Sequence, residues 1–292
     1  MSAQRARLAD GRLHLNHGPI DLIIEAFGER AEIEVAYDQA WARFPAILPE
    51  LTRELPILRR PMGETMPGLR GPVARRMAEA VRPFRQRFIT PMAAVAGAVA
   101  EEMLAVLIAG RRLAKAYVND GGDIALHLSP GERFTAGIVA ELEAPAIAGR
   151  AEIRASDAVR GIATSGRGGR SFSLGIADAV TVLAPGAAAA DAAATMIANA
   201  VDLDHPAIAR RPAASLDPDS DLGDLPVTVA VGDLSPGEVA AALDAGRERA
   251  MEYARAGLIL AAMLQLRGER RIVSADGYSH PQVSFHPRRD LP

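Results

Sequence analysis

Apolar and polar positions alternate near the start of the chain. Arg12–Asn16 and Pro19–Ala26 place β-forming residues on either side of His17-Gly18, which predicts a hairpin. From Glu29 to about Arg60 the apolar spacing becomes helical, and Pro45, Pro49 and Pro56 are expected to break it. The Pro- and Gly-rich stretch 61–72 reads as a loop. A short helix is predicted over Val73–Val81, ended by Pro83. Thr90 then reads as an N-cap with Pro91 at the first helical position. The run from Met92 to Ala109 is the most lipid-like part of the chain, but Glu101 and Glu102 sit in its middle. A bilayer span needs about 20 mostly apolar residues without such charges. The run is therefore expected to be a buried helix, with no membrane partner.

The second half reads mainly as β structure. Strands are predicted at Leu113–Val118, Ile124–Leu128, Arg133–Glu141, Ala151–Ala155, Gly161–Thr164, Arg170–Leu174 and Ala179–Leu183, separated by turn clusters rich in Gly, Asn and Asp. Ala187–Ala200 has high helix propensity. Arg211–Pro226 reads as an acidic exposed loop, and Val227–Val231 as a strand. Ser235, with Pro236 next and Glu238 three residues on, forms a capping box for a helix expected to run to about Leu266. Arg270–Ser274 reads as a last strand, and 277–292 as a loosely ordered tail. Long helices with an antiparallel sheet define an α+β chain, read as one domain over 1–292. The helices are expected to pack within that domain or against a second copy as a homodimer.

Composition narrows the chemistry. Thirty-three Lys and Arg against 36 Asp and Glu give a net charge of −3, so there is no overall basic field and no nucleic-acid partner is expected. The absence of cysteine excludes disulfides, thiolate metal sites and Cys nucleophiles. The N-terminus has no apolar signal core, and a cytoplasmic protein is expected.

Three constellations remain. Val118-Asn119-Asp120-Gly121-Gly122-Asp123 places two glycines between strands, where positive φ allows close backbone approach to a ligand; a plain hairpin uses the same residues. Ala163-Thr164-Ser165-Gly166-Arg167-Gly168-Gly169-Arg170-Ser171 offers backbone N–H groups, hydroxyls and guanidiniums suited to a pyrophosphate, or else a flexible loop with solvated arginines. Asp191 and Thr195, one helical turn apart, are hard oxygen donors of the kind Mg²⁺ takes; alternatively, Asp191 only favours a helix dipole.

In this order, Gly121-Gly122-Asp123, Ala163-Thr164-Ser165-Gly166, Thr181-Val182-Leu183-Ala184-Pro185 and Asp191-Ala192-Ala193-Ala194-Thr195 resemble the ApbE superfamily, the Mg²⁺-dependent FAD:protein FMN transferases. The likeness covers about residues 90–200. Thr90–Gly97 and Ser173–Val180 look typical of a cytoplasmic, uncharacterised branch. The resemblance implies a T-fold-like antiparallel sheet with packed long helices, FAD or a related dinucleotide as ligand, and a protein acceptor. It implies that Asp191 and Thr195 ligate Mg²⁺. It also implies that Gly121, Gly122, Asp123, Thr164 and Ser165 line the nucleotide site; Ala163, Gly166 and Arg167 complete the candidate pyrophosphate segment, and Asp123 is the candidate catalytic base. Two family segments differ. The Lys-Gly-Tyr segment is replaced by Ala96–Glu101, and Ser171–Asp178 stands where the family has a His- and Pro-containing segment. An ApbE-like enzyme with another cofactor-related substrate, or a non-catalytic flavin-binding protein, fits those differences.

Overall fold

The computed structural model describes residues 2–139, 147–275 and 284–285. In chain order its strands and α-helices are β1 (Gln4–Arg7), β2 (Leu13–His17), β3 (Ile20–Gly28), α1 (Arg30–Leu58), α2 (Pro72–Val81), α3 (Val95–Ile108), β4 (Leu113–Asp120), β5 (Asp123–Leu128), β6 (Arg133–Val139), β7 (Ile147–Arg154), β8 (Gly161–Ser165), β9 (Ala179–Ala184), α4 (Ala187–Ala200), β10 (Ile208–Pro212), β11 (Pro226–Val231), α5 (Pro236–Arg255), β12 (Ala261–Leu266), β13 (Glu269–Ser274) and β14 (Ser284–Phe285). The chain divides into two compact units, and the division falls within β8, β9 and α4.

The first unit comprises residues 1–132, 158–163 and 183–192. Its strands run in the order β1-β2-β3-β4-β5-β8, every neighbouring pair antiparallel. The predicted hairpin is present, with its turn at Gly18-Pro19, one residue later than expected: His17 pairs with Ile20, and Gly18 is at φ +60°. Alternation along β2 and β3 buries Leu13, Leu15, Leu22 and Ile24 completely. Helices α1 and α2 pack on α3, and α3 packs on β4 and β5.

Helix α1 corrects one expectation: it runs unbroken through Pro45, Pro49 and Pro56. At about 100° per residue, the three prolines fall within about 40° of one another on the helix circumference. The buried residues Ala36, Ala40, Ile47, Leu51 and Leu58 lie on the opposite side. The carbonyls that lose their N–H partner are those of Trp41, Pro45 and Thr52, on the proline side, away from the buried stripe. Exposed Pro49 still costs helix propensity. Pro49→Ala is expected to raise unfolding stability by about 1–2 kcal/mol after its gain in unfolded-chain entropy, as a higher urea midpoint at unchanged slope. A loss of stability contradicts the water-facing placement.

The expected cap is observed: the Thr90 hydroxyl accepts from Met92 N at 3.2 Å, and a 3-10 turn at Pro91–Ala94 leads into α3. Pro91–Ile108 is long and apolar enough to cross a membrane by length and composition, yet 56% of it is buried within the protein. Buried Glu102 in this helix is paired with Arg43 of α1 at 3.0 Å and Arg76 of α2 at 3.5 Å, which offsets the cost of its burial.

The second unit comprises residues 133–157, 164–182 and 193–292. It contains the strand orders β9-β12-β13, β10-β11 and β14-β7-β6. The capping box at Ser235 and Glu238 forms as predicted. Its helix, α5, stops at Arg255 rather than Leu266. Gly257 at φ +71° ends it, and the apolar run that follows is a fully buried strand, β12. A continuous apolar run fits a buried helix or a buried strand equally; here the turn at Arg267 (φ 50°) and Gly268 (φ 82°) pairs it with β13. The strand expected at Arg170–Leu174 is absent. Asn199 Oδ1 accepts from Leu174 N at 3.0 Å, and Gly175 packs so closely on α4 that a Cβ there would lie 2.2 Å from Ala198 O. Three strands escaped the sequence pattern: β1, which is exposed throughout, β10, whose last two residues overlap the start of the expected acidic loop, and β14, in the expected tail. Residues 140–141 of the expected strand, and the tail 277–292 apart from β14, lie outside the described residues.

Candidate functional site

In the first unit, β4 ends at Asp120 and β5 begins at Asp123, opposite each other across Gly121 (φ 63°) and Gly122 (φ 113°). Both glycines are left-handed, as a two-residue hairpin turn requires. Gly122 N donates to Asn119 Oδ1 at 2.8 Å, and a Cβ at Gly122 would meet nothing within 4 Å, so this edge of the turn is open. Ala116, Val118 and Asp120 share the buried face of β4, and Asp120 is 3% exposed. The sequence analysis placed Asp120 in this turn's polar constellation, and the parity of β4 shows that it faces inward.

Asp191 sits on α4, and Thr195 is one turn further along that helix. Asp191 Oδ2 accepts from Gly97 N, in the first turn of α3, at 3.0 Å. Glu101 Oε1, from the next turn of α3, accepts from Ala188 N in the first turn of α4, also at 3.0 Å. The residue before α3 is Ala94 and the residue before α4 is Gly186; neither side chain can cap. Each helix thus takes a carboxylate from the other onto its free N–H groups. Glycines make this junction possible. A Cβ at Gly97 would lie 2.3 Å from Ala187 O, and one at Gly161 would lie 2.1 Å from Gly186 C.

Burial pushes the Asp191 carboxyl up to about 7, and the negative charge of Asp120 adds to the rise, while the α3 amides of Gly97 and Ala96 oppose it. A carboxyl whose proton affinity is raised by a neighbouring negative charge also favours a cation. Carboxylate and hydroxyl oxygens are hard donors of the kind Mg²⁺ takes together with phosphate oxygens. Among the described residues no group of three or more His, Cys, Asp or Glu gathers as a metal site. A cation here therefore depends on ligands beyond the acidic side chains.

In the second unit, the Thr164 and Thr181 hydroxyls are 2.9 Å apart. Arg167 Nη2 lies 3.2 Å from Asp178 Oδ1, and Arg267 N donates to Asp178 Oδ2 at 2.6 Å. The Arg267 side chain donates to Val231 O and Gly232 O, each at 2.8 Å, which holds this residue in its left-handed conformation. Gly166 packs against Asp178, where a Cβ would lie 2.5 Å from its carbonyl oxygen. Gly169 N returns to Gly166 O at 3.1 Å, so the Gly-rich segment is a closed turn. Asp178 organises this turn and was not among the sequence candidates. Its sequence signals are its place immediately before a strand and within Ser173–Val180.

The sequence candidates thus fall into two sets. Gly121, Gly122, Asp123, Ala163 and Asp191 belong to the first unit; Thr164, Ser165, Gly166, Arg167 and Thr195 belong to the second.

The fold is α+β, with the glycine turn and Asp191 in the first unit and the closed Gly-rich turn with its Thr164–Thr181 hydroxyl pair in the second. A family model described as "AbpE bacteria" matches residues 5–272, and the chain belongs to that family, as the four ordered motifs implied. It is 37% identical over 134 residues to a UPF0280 protein of Methanopyrus kandleri, covering 46% of this chain and 51% of that protein. A UPF0280 protein of Methanoculleus marisnigri is 38% identical over 161 residues, 54% of this chain and 59% of the relative. The chain thus spans about half the length of the curated relatives it matches. Among solved structures, the apo form of Pseudomonas stutzeri flavinyl transferase ApbE aligns at a TM-score of 0.43 and 11% identity, covering 94% of both chains. The flavin transferase ApbE of Vibrio cholerae aligns at 0.37 and 14%, covering 94% of this chain and 98% of that one.

Proposed function

We propose that this chain is a Mg²⁺-dependent enzyme that binds FAD and acts at its pyrophosphate, passing the FMN half to an acceptor. The observation that carries the reading is Asp191, which accepts from Gly97 N and whose proton affinity is raised by desolvation and by the charge of Asp120, with Thr195 one turn along the same helix. Family membership supports it. Asp191 and Thr195 would hold Mg²⁺, which supplies neutralisation of charge developing on the phosphoryl oxygens. The Gly121-Gly122 turn gives backbone access to a ligand. Thr164 and Ser165 donate hydroxyl hydrogen bonds to phosphate oxygens, Thr164 exchanging its Thr181 partner to do so. Asp123 takes the proton of the attacking acceptor hydroxyl. The acceptor oxygen bonds to the FMN phosphorus as the bridging P–O bond breaks and AMP leaves.

One observation favours a second reading, in which the ligand is a different cofactor or is bound without turnover. Arg167 is held, instead of being offered to a phosphate, by Asp178, the last residue of the segment that stands where the family has its His-containing one. Calorimetric titration with FAD tests the first reading. Binding is expected to require Mg²⁺, and Thr164→Val is expected to weaken it about tenfold, the cost of about one hydrogen bond to a charged group. FAD binding that is equal with Mg²⁺ and with EDTA contradicts the metal role.

A further inference from the structure

The charge of the chain is unevenly placed. Residues 53–87 hold nine arginines, no lysine and three glutamates, a charge of +6 in a chain whose total is −3. This stretch covers the end of α1, the loop 61–71, α2 and the 3-10 turn Arg82–Phe84. Several of its charges are spent locally. Arg85 pairs with Glu64 at 2.9 Å, and Arg76 reaches Glu101 and Glu102 at 3.5 Å. Arg53, Arg60, Arg70, Arg82 and Arg87 are all exposed and, among the described residues, have no carboxylate partner. The scaffold beneath them is fastened. Glu54 accepts from Arg70 N at 2.6 Å and Gly71 N at 2.9 Å, and Met62 N donates to Ile89 O at 2.8 Å, which ties the Arg60 end of the loop to the Arg87 segment. An open notch of about 400 Å³, lined by Glu79, Arg82, Pro83 and Arg85, lies on this face.

We propose that this arginine face is a docking surface for an acidic segment of a partner protein. Guanidinium forks bind carboxylates in pairs, and a surface already held in place loses little entropy on binding them. The face lacks what other polyanions need. The apolar side of α2 (Val73, Ala74, Met77, Ala78, Val81) is buried, so no free stripe remains to enter a bilayer. Phe84 is buried and Phe88 half-buried, so no exposed ring is present to stack bases. The rest of the chain carries −9 and repels a polyanion longer than the patch.

The probe is a fluorescein-labelled hexaglutamate peptide, read by anisotropy on the intact protein. Binding is expected at low salt and to weaken as NaCl rises from about 50 to 300 mM. R60E/R82E/R87E is expected to lose at least about tenfold in affinity, whereas R211E/R247E/R255E, with the same change in net charge on exposed sites elsewhere, changes it by less than about twofold. R60Q/R82Q/R87Q replaces the first set if its circular dichroism shows unfolding. No peptide binding, equal loss in both triple variants, or tighter binding to phosphatidylserine vesicles or to a short RNA duplex overturns the proposal. The readout is binding alone, so it stands or falls separately from the FAD chemistry.

Discussion

Asp191→Ala is expected to abolish Mg²⁺-dependent turnover while leaving the protein folded. The two consequences separate because Asp191 has two roles. As a cap it accepts from Gly97 N, and losing such a cap costs about 1 kcal/mol. Its half-buried carboxylate also carries a charge disfavoured by desolvation and by the charge of Asp120, and removing that charge offsets part of the cost. Asp191→Asn isolates the second effect, since the amide oxygen can still accept from Gly97. The folded-state value of about 7 lies above the ordinary 3.8, so this group favours folding below about pH 4 and loses that contribution as pH rises through 7. In EDTA, the Asn variant is therefore expected to melt above the parent at pH 8 and level with or below it at pH 4. Added Mg²⁺ is expected to raise the parent's midpoint at pH 8 and leave the Asn variant unmoved. If turnover persists in Asp191→Ala, the residue is only a cap and the metal assignment is wrong.

The second large effect is structural. Gly97→Ala and Gly161→Ala are each expected to destabilise the protein by about 3 kcal/mol or more, because the added methyl meets backbone rather than a side chain that could swing away. Both clashes fall on Gly186–Ala187, the entry to α4. A change there also displaces the cap from Glu101 and, one turn later, Asp191. Gly110→Ala is the contrast: its Cβ would meet nothing within 4 Å, and only its φ of +67° opposes the change, at about 1 kcal/mol. Urea unfolding of the three variants orders them. Equal small losses at all three sites contradict the close packing at this junction.

Much of the local structure was readable from residues alone, because its causes are local. The Gly18 and Gly121-Gly122 turns, the Thr90 cap and the Ser235 capping box each arise from side chains within a few positions of one another. The errors arise where distant packing decides. Proline normally ends a helix, but α1 keeps three on its water-facing side and stays intact. Leu258–Leu266 has no periodicity to choose a helix or a strand, and pairing with β13 makes the choice. Arg170–Leu174 has strand-like residues, yet Asn199 and the closeness of Gly175 to α4 claim its backbone.

The candidate site divides in the same way. The four motifs identified the family. They did not reveal that Asp191 meets the α3 amides and the charge of Asp120, that Glu101 returns the cap to α4, or that Asp178 holds Arg167. Those pairings join residues 11 to 94 positions apart, and nothing in the local pattern encodes them.

The central claim is pyrophosphate chemistry supported by Asp191 and Thr195. Its most direct test is mass spectrometry of the protein incubated with FAD, with Mg²⁺ and with EDTA. Release of AMP only with Mg²⁺, lost in Asp191→Ala, is the predicted result. Intact FAD under every condition, with Mg²⁺ present and the protein folded, contradicts it.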